Sequence, residues 1–189
     1  MSTLDNPNET INPQDASPWP TAARHGLLAG LISIVVGLIL HLTGQVDYTG
    51  QSSSSNWISN ITTWGVMIVA ILLAIRQHRD QELGGVISFG RSFYVGFIVS
   101  LVIAILSIIW GYIFFAFVEP GLIDTMMEAS REQMIDRQGM TESEADQAMG
   151  YVTWMMQPWV LSLFGGIGAL IAGMIFSLIL GAILKKDAD

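Results

Sequence analysis

Residues 93 to 124 read "FYVGFIVSLVIAILSIIWGYIFFAFVEPGLID". From Phe93 to Val118 there is no charged side chain, and the run then stops at Glu119-Pro120-Gly121 and turns acidic. At 1.5 Å per residue such a run, wound as a helix, exceeds the roughly 30 Å of a hydrocarbon core. It reads as a membrane span that leaves the apolar layer at Glu119. Pro120 disfavours helix at the residue before it and opens a new helix after it, with Gly121 easing the turn. Glu119, Pro120 and Gly121 are therefore expected to form a hinge.

Three further stretches, 26–42, 57–75 and 158–184, are also apolar and free of charge in their interiors. Together they predict an all-α integral membrane four-helix bundle. With 51% hydrophobic and 13% charged residues, the 189-residue chain is too apolar for an ordinary soluble domain. The first span follows the polar, acidic segment "MSTLDNPNETINPQDASPWPTAAR", which lacks the basic start of a signal peptide. Residues 1–25 are read as a disordered tail, and 26–189 as a single membrane domain.

Basic residues resist translocation, so they orient the spans. Arg24, Arg76, Arg79, Arg91, Lys185 and Lys186 would share one side, with Arg131 and Arg137 on the other. Both termini are thus expected in the cytoplasm, with loops 43–56 and 119–157 outside. The first of these, "TGQVDYTGQSSSSN", reads as a plain flexible connection.

The second is patterned. At 3.6 residues per turn, Leu122, Ile123, Met126, Met127, Ser130 and Met134 share one arc, and Asp124, Glu128, Glu132 and Asp136 the opposite one. Gly139 suits a left-handed stop, and "TESE" from Thr141 is a capping box that starts a second helix. That helix carries the stripe Ala145, Ala148, Met149, Val152, Met156 and Trp159. An outer helical hairpin over 119–157 follows, its four acids a candidate partner surface. Seven of the ten methionines fall between Met126 and Met156, where they serve better as gap-fillers than as copper ligands.

Span four repeats a small residue at every fourth position: Gly165, Ala169, Gly173, Ser177 and Gly181. Such a face lets another helix approach closely in lipid. Span one repeats the idea at Gly26 and Gly30. Whether the partner helix lies in the same chain is left open.

Chemistry is sparse. There is no cysteine, hence no disulfide or thiolate, and a net charge of −8 counts against nucleic acid as a partner. His25, His41 and His78 are divided between the two membrane sides and cannot meet at one metal. His41, at the outer end of span one, reads as an interfacial polar cap. "QHRDQ" at 77–81 resembles a kinase catalytic loop without the glycine-rich strand and turn that would hold a nucleotide. No catalytic set, cofactor or metal site is expected.

The segment "GGVISFGRSFYVGF", residues 84–97, resembles the start of the third span in domain of unknown function 4199 proteins, through Ser88, Phe89, Gly90, Phe93, Gly96 and Phe97. The likeness continues at Pro120, at the turn from Gly139 to Glu142, and in "GMIFSLILGAILKK" from Gly173 to Lys186. The chain departs from the family pattern at Glu119, where Asp or Asn is usual, and at Gly121, where an acid is usual. The resemblance implies four spans in a bacterial inner membrane, mostly in Bacteroidota, and carries no activity. The physics of the matched motif is helix capping by Ser88, anchoring by Phe89 and Phe93, and close packing at Gly96.

The functional expectation is a non-catalytic inner-membrane protein acting in envelope assembly or interaction through its outer hairpin and small-residue face. Its partners would be membrane lipid, copies of itself or other envelope membrane proteins. The alternative is a subunit of an oligomeric small-solute transporter or channel.

Overall fold

The computed structural model describes residues 16–49 and 53–186. Its elements are α1 (Trp19–Leu42), α2 (Ser53–Gln77), a π-turn (His78–Glu82), α3 (Phe89–Ile113), a second π-turn (Phe114–Val118), α4 (Gly121–Asp136), α5 (Glu142–Met155) and α6 (Pro158–Leu184). Four helices are long and apolar enough to cross a membrane: Trp19–Leu42, Ser59–Glu82, Phe89–Val118 and Pro158–Leu184. The molecule is an all-α, multi-pass membrane bundle. The end where α1 begins carries Arg76, Arg79, Arg91, Lys185 and Lys186, and we call it the basic end; α4 and α5 cap the other, the hairpin end.

Helix α3 is the axis of the bundle, packed against α6 most extensively and also against α1 and α2. Its contact with α6 is antiparallel and built from a reciprocal pair of Gly-x-x-x-Ser steps. Gly96 faces Ser177 and Ser100 faces Gly173, so closely that a Cβ built on Gly96 would lie 2.4 Å from the Ser177 oxygen, and one on Gly173 2.2 Å from that of Ser100. Each serine satisfies its hydroxyl by donating to the carbonyl one turn back in its own helix, Ser100 to Gly96 and Ser177 to Gly173. Gly111 against Ser162 repeats the theme nearer the hairpin. The partner of span four's small-residue face is thus α3 of the same chain. Gly26 and Gly30 of α1 meet α3 likewise, at Val102 and Leu106. Small side chains let backbones close, and the gain is van der Waals contact that lipid cannot match. Ile71, Ile75, Val95, Ile98 and Val99 fill the remaining core.

The small-residue ladder needs one correction. Ala169, Gly173, Ser177 and Gly181 lie along the buried side, but Gly165 is exposed with nothing near it. Gly166 takes its place, tight against Ile108. Steps of four advance about 40° beyond a full turn, so an unbroken ladder would spiral off the interface, and one step of three restores it.

Helix boundaries also differ from the expected ones. α1 starts at Trp19, inside the segment read as disordered tail; the part of that reading covering residues 1–15 lies outside the described residues. Pro18 and Pro20 sit at the cap and first turn, where proline loses no hydrogen bond. α3, by contrast, starts where the expected Ser88 cap puts it, at Phe89, with the Ser88 hydroxyl accepting from the Arg91 amide. The loop read as a plain connection is partly built. Tyr48 stacks on Phe114, and Asp47 accepts from the Thr49 amide and hydroxyl; residues 50–52 lie outside the described residues.

At the basic end, Ile87 and Lys186 exchange backbone hydrogen bonds at 2.9 Å as an isolated antiparallel bridge. Arg79 donates to the Leu184 carbonyl at the end of α6. The start of α3 and the end of α6 are tied together there.

Candidate functional site

The hairpin end forms as its pattern dictates. Glu119 leaves helical geometry, Pro120 stands at the cap position of α4, and Gly121 opens the helix. The preceding π-turn, closed by the Glu119 amide on the Phe114 carbonyl at 2.8 Å, swings Glu119 toward α1. There its carboxylate meets His41 Nε2 at 3.3 Å. The His41 ring is held edge-on to Phe114 and Tyr48. The polar cap at the end of span one and the hinge after span three are one contact. Burial, and then the Glu119 carboxylate, push the Tyr48 phenol above its ordinary range.

Asp124, Glu128, Glu132 and Asp136 are all exposed along α4, while Met126, Met127, Ala129 and Met134 turn inward. Arg131 reaches Asp146 of α5 at 2.9 Å, and Gln133 donates to the Thr49 carbonyl in the α1 to α2 connection. Gly139 adopts a φ of +69° at the fold-back, and the Thr141/Glu144 capping box is complete. The hairpin is therefore held to the bundle with its acids presented outward. Among the described residues no group of three His, Asp or Glu side chains is placed to hold a metal.

The basic end holds a second arrangement that the sequence reading did not find. His78 is fully buried. One ring nitrogen, Nδ1, contacts Glu82 Oε2 at 2.7 Å, and the other, Nε2, lies 3.1 Å from Arg91 Nε. Arginine only donates, so Nε2 accepts and Nδ1 carries the hydrogen given to Glu82. The other Glu82 oxygen accepts from the Thr21 hydroxyl, and Arg91 donates onward to the Ala16 carbonyl. The chain Thr21, Glu82, His78, Arg91, Ala16 thus links the start of α1, the π-turn after α2 and the first turn of α3. It contains one anion and one cation, which makes its burial tolerable. Nearby, Ser92 Oγ is buried with no hydrogen-bond partner.

Two local features bring these groups together. Leu83 bonds back to the His78 carbonyl in a π-turn, and Gly84 and Gly85, both at positive φ, then reverse the chain within a few residues. Ser88 restarts the helix so that Arg91 falls in its first turn. The available signal was the i, i+4 spacing of His78 and Glu82 beside a Gly-Gly reversal.

Comparison with known proteins returns one family, described as protein of unknown function (DUF4199), matching residues 24–186. The chain belongs to the DUF4199 family. The matched region takes in both π-turns, the hairpin and nearly all of the four spans, so the DUF4199 match covers most of the described structure. Ala16 and Thr21, which anchor the basic-end chain, precede it. No curated protein and no solved structure matches the chain.

Proposed function

We propose that this multi-pass membrane protein is a non-catalytic interaction protein of a bacterial inner membrane, whose working surface is the acidic face of α4. The supporting observation is the exposure of Asp124, Glu128, Glu132 and Asp136 on a helix whose opposite face is packed. Four like charges one turn apart disfavour an isolated helix by a few tenths of a kcal/mol per pair. A basic partner would relieve that repulsion, and its recognition would weaken with salt. The small-residue face of α6 is taken up by α3, which leaves the hairpin to carry assembly.

In the proposed orientation the basic end faces the cytoplasm and the hairpin lies outside. Cysteine labelling tests this in a naturally cysteine-free chain. Glu132→Cys should react with a membrane-impermeant maleimide from outside, and Arg76→Cys only after the membrane is opened; the reverse would overturn the orientation. For the function, Asp124, Glu128, Glu132 and Asp136 are changed together to Asn or Gln, followed by affinity purification from native membranes. Loss of a co-purifying basic protein supports the reading, and an unchanged set of partners sinks it.

A transport role for an oligomer is favoured by one observation, the buried ionisable chain around His78, because such groups in membrane proteins often line ion or proton paths. Solute-specific flux in proteoliposomes that is lost in His78→Gln would establish it in place of the interaction reading.

A further inference from the structure

Between α1 and α2 lies an open groove of about 500 Å³. Its walls are apolar, formed by Ala29 and Ile32 on one helix and Ile61, Gly65, Val69 and Leu73 on the other. From Ile61 to Leu73 the groove runs twelve residues, or about 18 Å along α2. One leaflet of a bilayer is about 15 Å of hydrocarbon. Measured from Arg76 it reaches about 22 Å, so it takes in the leaflet at the basic end and passes the midplane, room enough for a single acyl chain entering from that end.

At that end it opens into a second cavity of about 300 Å³, with His25 and Leu73 common to both. The lining turns polar there, with Arg76, Gln77, Asp80 and Gln81. Asp80 does not make the mouth anionic, since Arg79 grips both its oxygens at 2.6 and 3.1 Å. Arg76 is exposed and adds a positive charge, leaving the mouth net cationic. The His25 ring is fixed, because its Nδ1 donates to the Thr21 carbonyl at 2.9 Å. An apolar slot at least one leaflet deep, ending in a guanidinium at headgroup height, matches one amphiphile.

We propose that the α1 to α2 groove holds one anionic phospholipid of the phosphatidylglycerol type, with an acyl chain between Ala29 and Gly65 and its phosphate at Arg76. A mono-anionic phosphate suits a mouth where Arg76 and Arg79 together outnumber Asp80.

The test uses the full chain, purified, delipidated and offered equal phosphatidylglycerol and phosphatidylcholine of matched chains, with retained lipid counted by native mass spectrometry. One phosphatidylglycerol should be retained several-fold over phosphatidylcholine. Arg76→Gln should bring retention down to the phosphatidylcholine level, and Arg76→Lys should keep part of the preference. Gly65→Leu should lower retention of both lipids, because the added side chain enters the slot; a Cβ at Gly65 meets nothing within 4 Å, so the fold tolerates it. Inorganic phosphate in excess should not displace the lipid, which separates a lipid site from a simple anion site. Equal retention of the two lipids by the wild type, a preference unchanged in Arg76→Gln, or occupancy unchanged in a Gly65→Leu variant of native helix content would each overturn the proposal.

Discussion

Ser100 and Gly173 occupy each other's space: the serine oxygen lies where a Cβ on the glycine would be, only 2.2 Å away. Gly96 and Ser177 repeat the relation one turn along with the helices exchanged. Gly173→Ser alone should therefore destabilise the bundle by about 1–3 kcal/mol, the usual cost of overpacking. Combining Ser100→Gly with Gly173→Ser moves the bulk across the interface and should recover a good part of that loss. Unfolding in detergent, read as a double-mutant cycle, checks the coupling; strictly additive losses would show that the two residues do not meet.

The step in the small-residue ladder gives a sharper contrast. Gly165→Leu adds a side chain into open space and should stay within about 0.5 kcal/mol of wild type. Gly166→Leu drives into Ile108 and the Ala104 carbonyl and should cost at least about 1–3 kcal/mol. Thermal unfolding of the two neighbours under identical conditions separates them.

At the basic end, His78→Ala would leave Glu82 and Arg91 facing a void. The expected loss is about 1–3 kcal/mol for the stranded polar groups. His78→Gln, with a donor and an acceptor on a shorter chain, should lose less. The anchoring of Ala16 through Arg91 predicts a second readout: limited proteolysis near the start of α1 should speed up in His78→Ala and in Arg91→Gln.

Glu144 provides a pH signature. The Thr141 backbone N–H, and then its hydroxyl, hold the Glu144 carboxyl below the usual carboxylate range. A group depressed in the folded state stabilises it above the unfolded pKa, and that contribution fades as pH falls through the lower folded value. Amide exchange in the first turn of α5 should therefore quicken, relative to its intrinsic rate, over that acidic window. Glu144→Gln should remove the pH dependence, and Thr141→Ala should cost the helix about 1 kcal/mol at neutral pH.

What the sequence disclosed follows from how local each signal was. The fourth span was read to its ends because Pro158 can only open a helix and Lys185-Lys186 close the apolar run. The α4 acid face needed only the 3.6-residue period. The start of α1 was missed because hydropathy stops at Gly26, whereas the helix continues through Thr21 and Trp19 on contacts with Glu82 and Tyr94. The His78 chain depends on a π-turn closure and a Gly-Gly reversal, which no periodicity reports. The pairing of His41 with Glu119 brings together residues 78 apart in sequence and follows from the packing of spans one and three.

The order of synthesis gives the α3 and α6 interface a further meaning. α6 leaves the ribosome only after the whole of α4 and α5, so the groove at Gly96 and Ser100 stays open until the acidic hairpin has been made. The last span to arrive closes the central helix, and the Ile87 and Lys186 bridge then latches it at the basic end. A chain that ends within the hairpin would carry an open small-residue seam along α3, with Ser100 lacking the glycine it packs on.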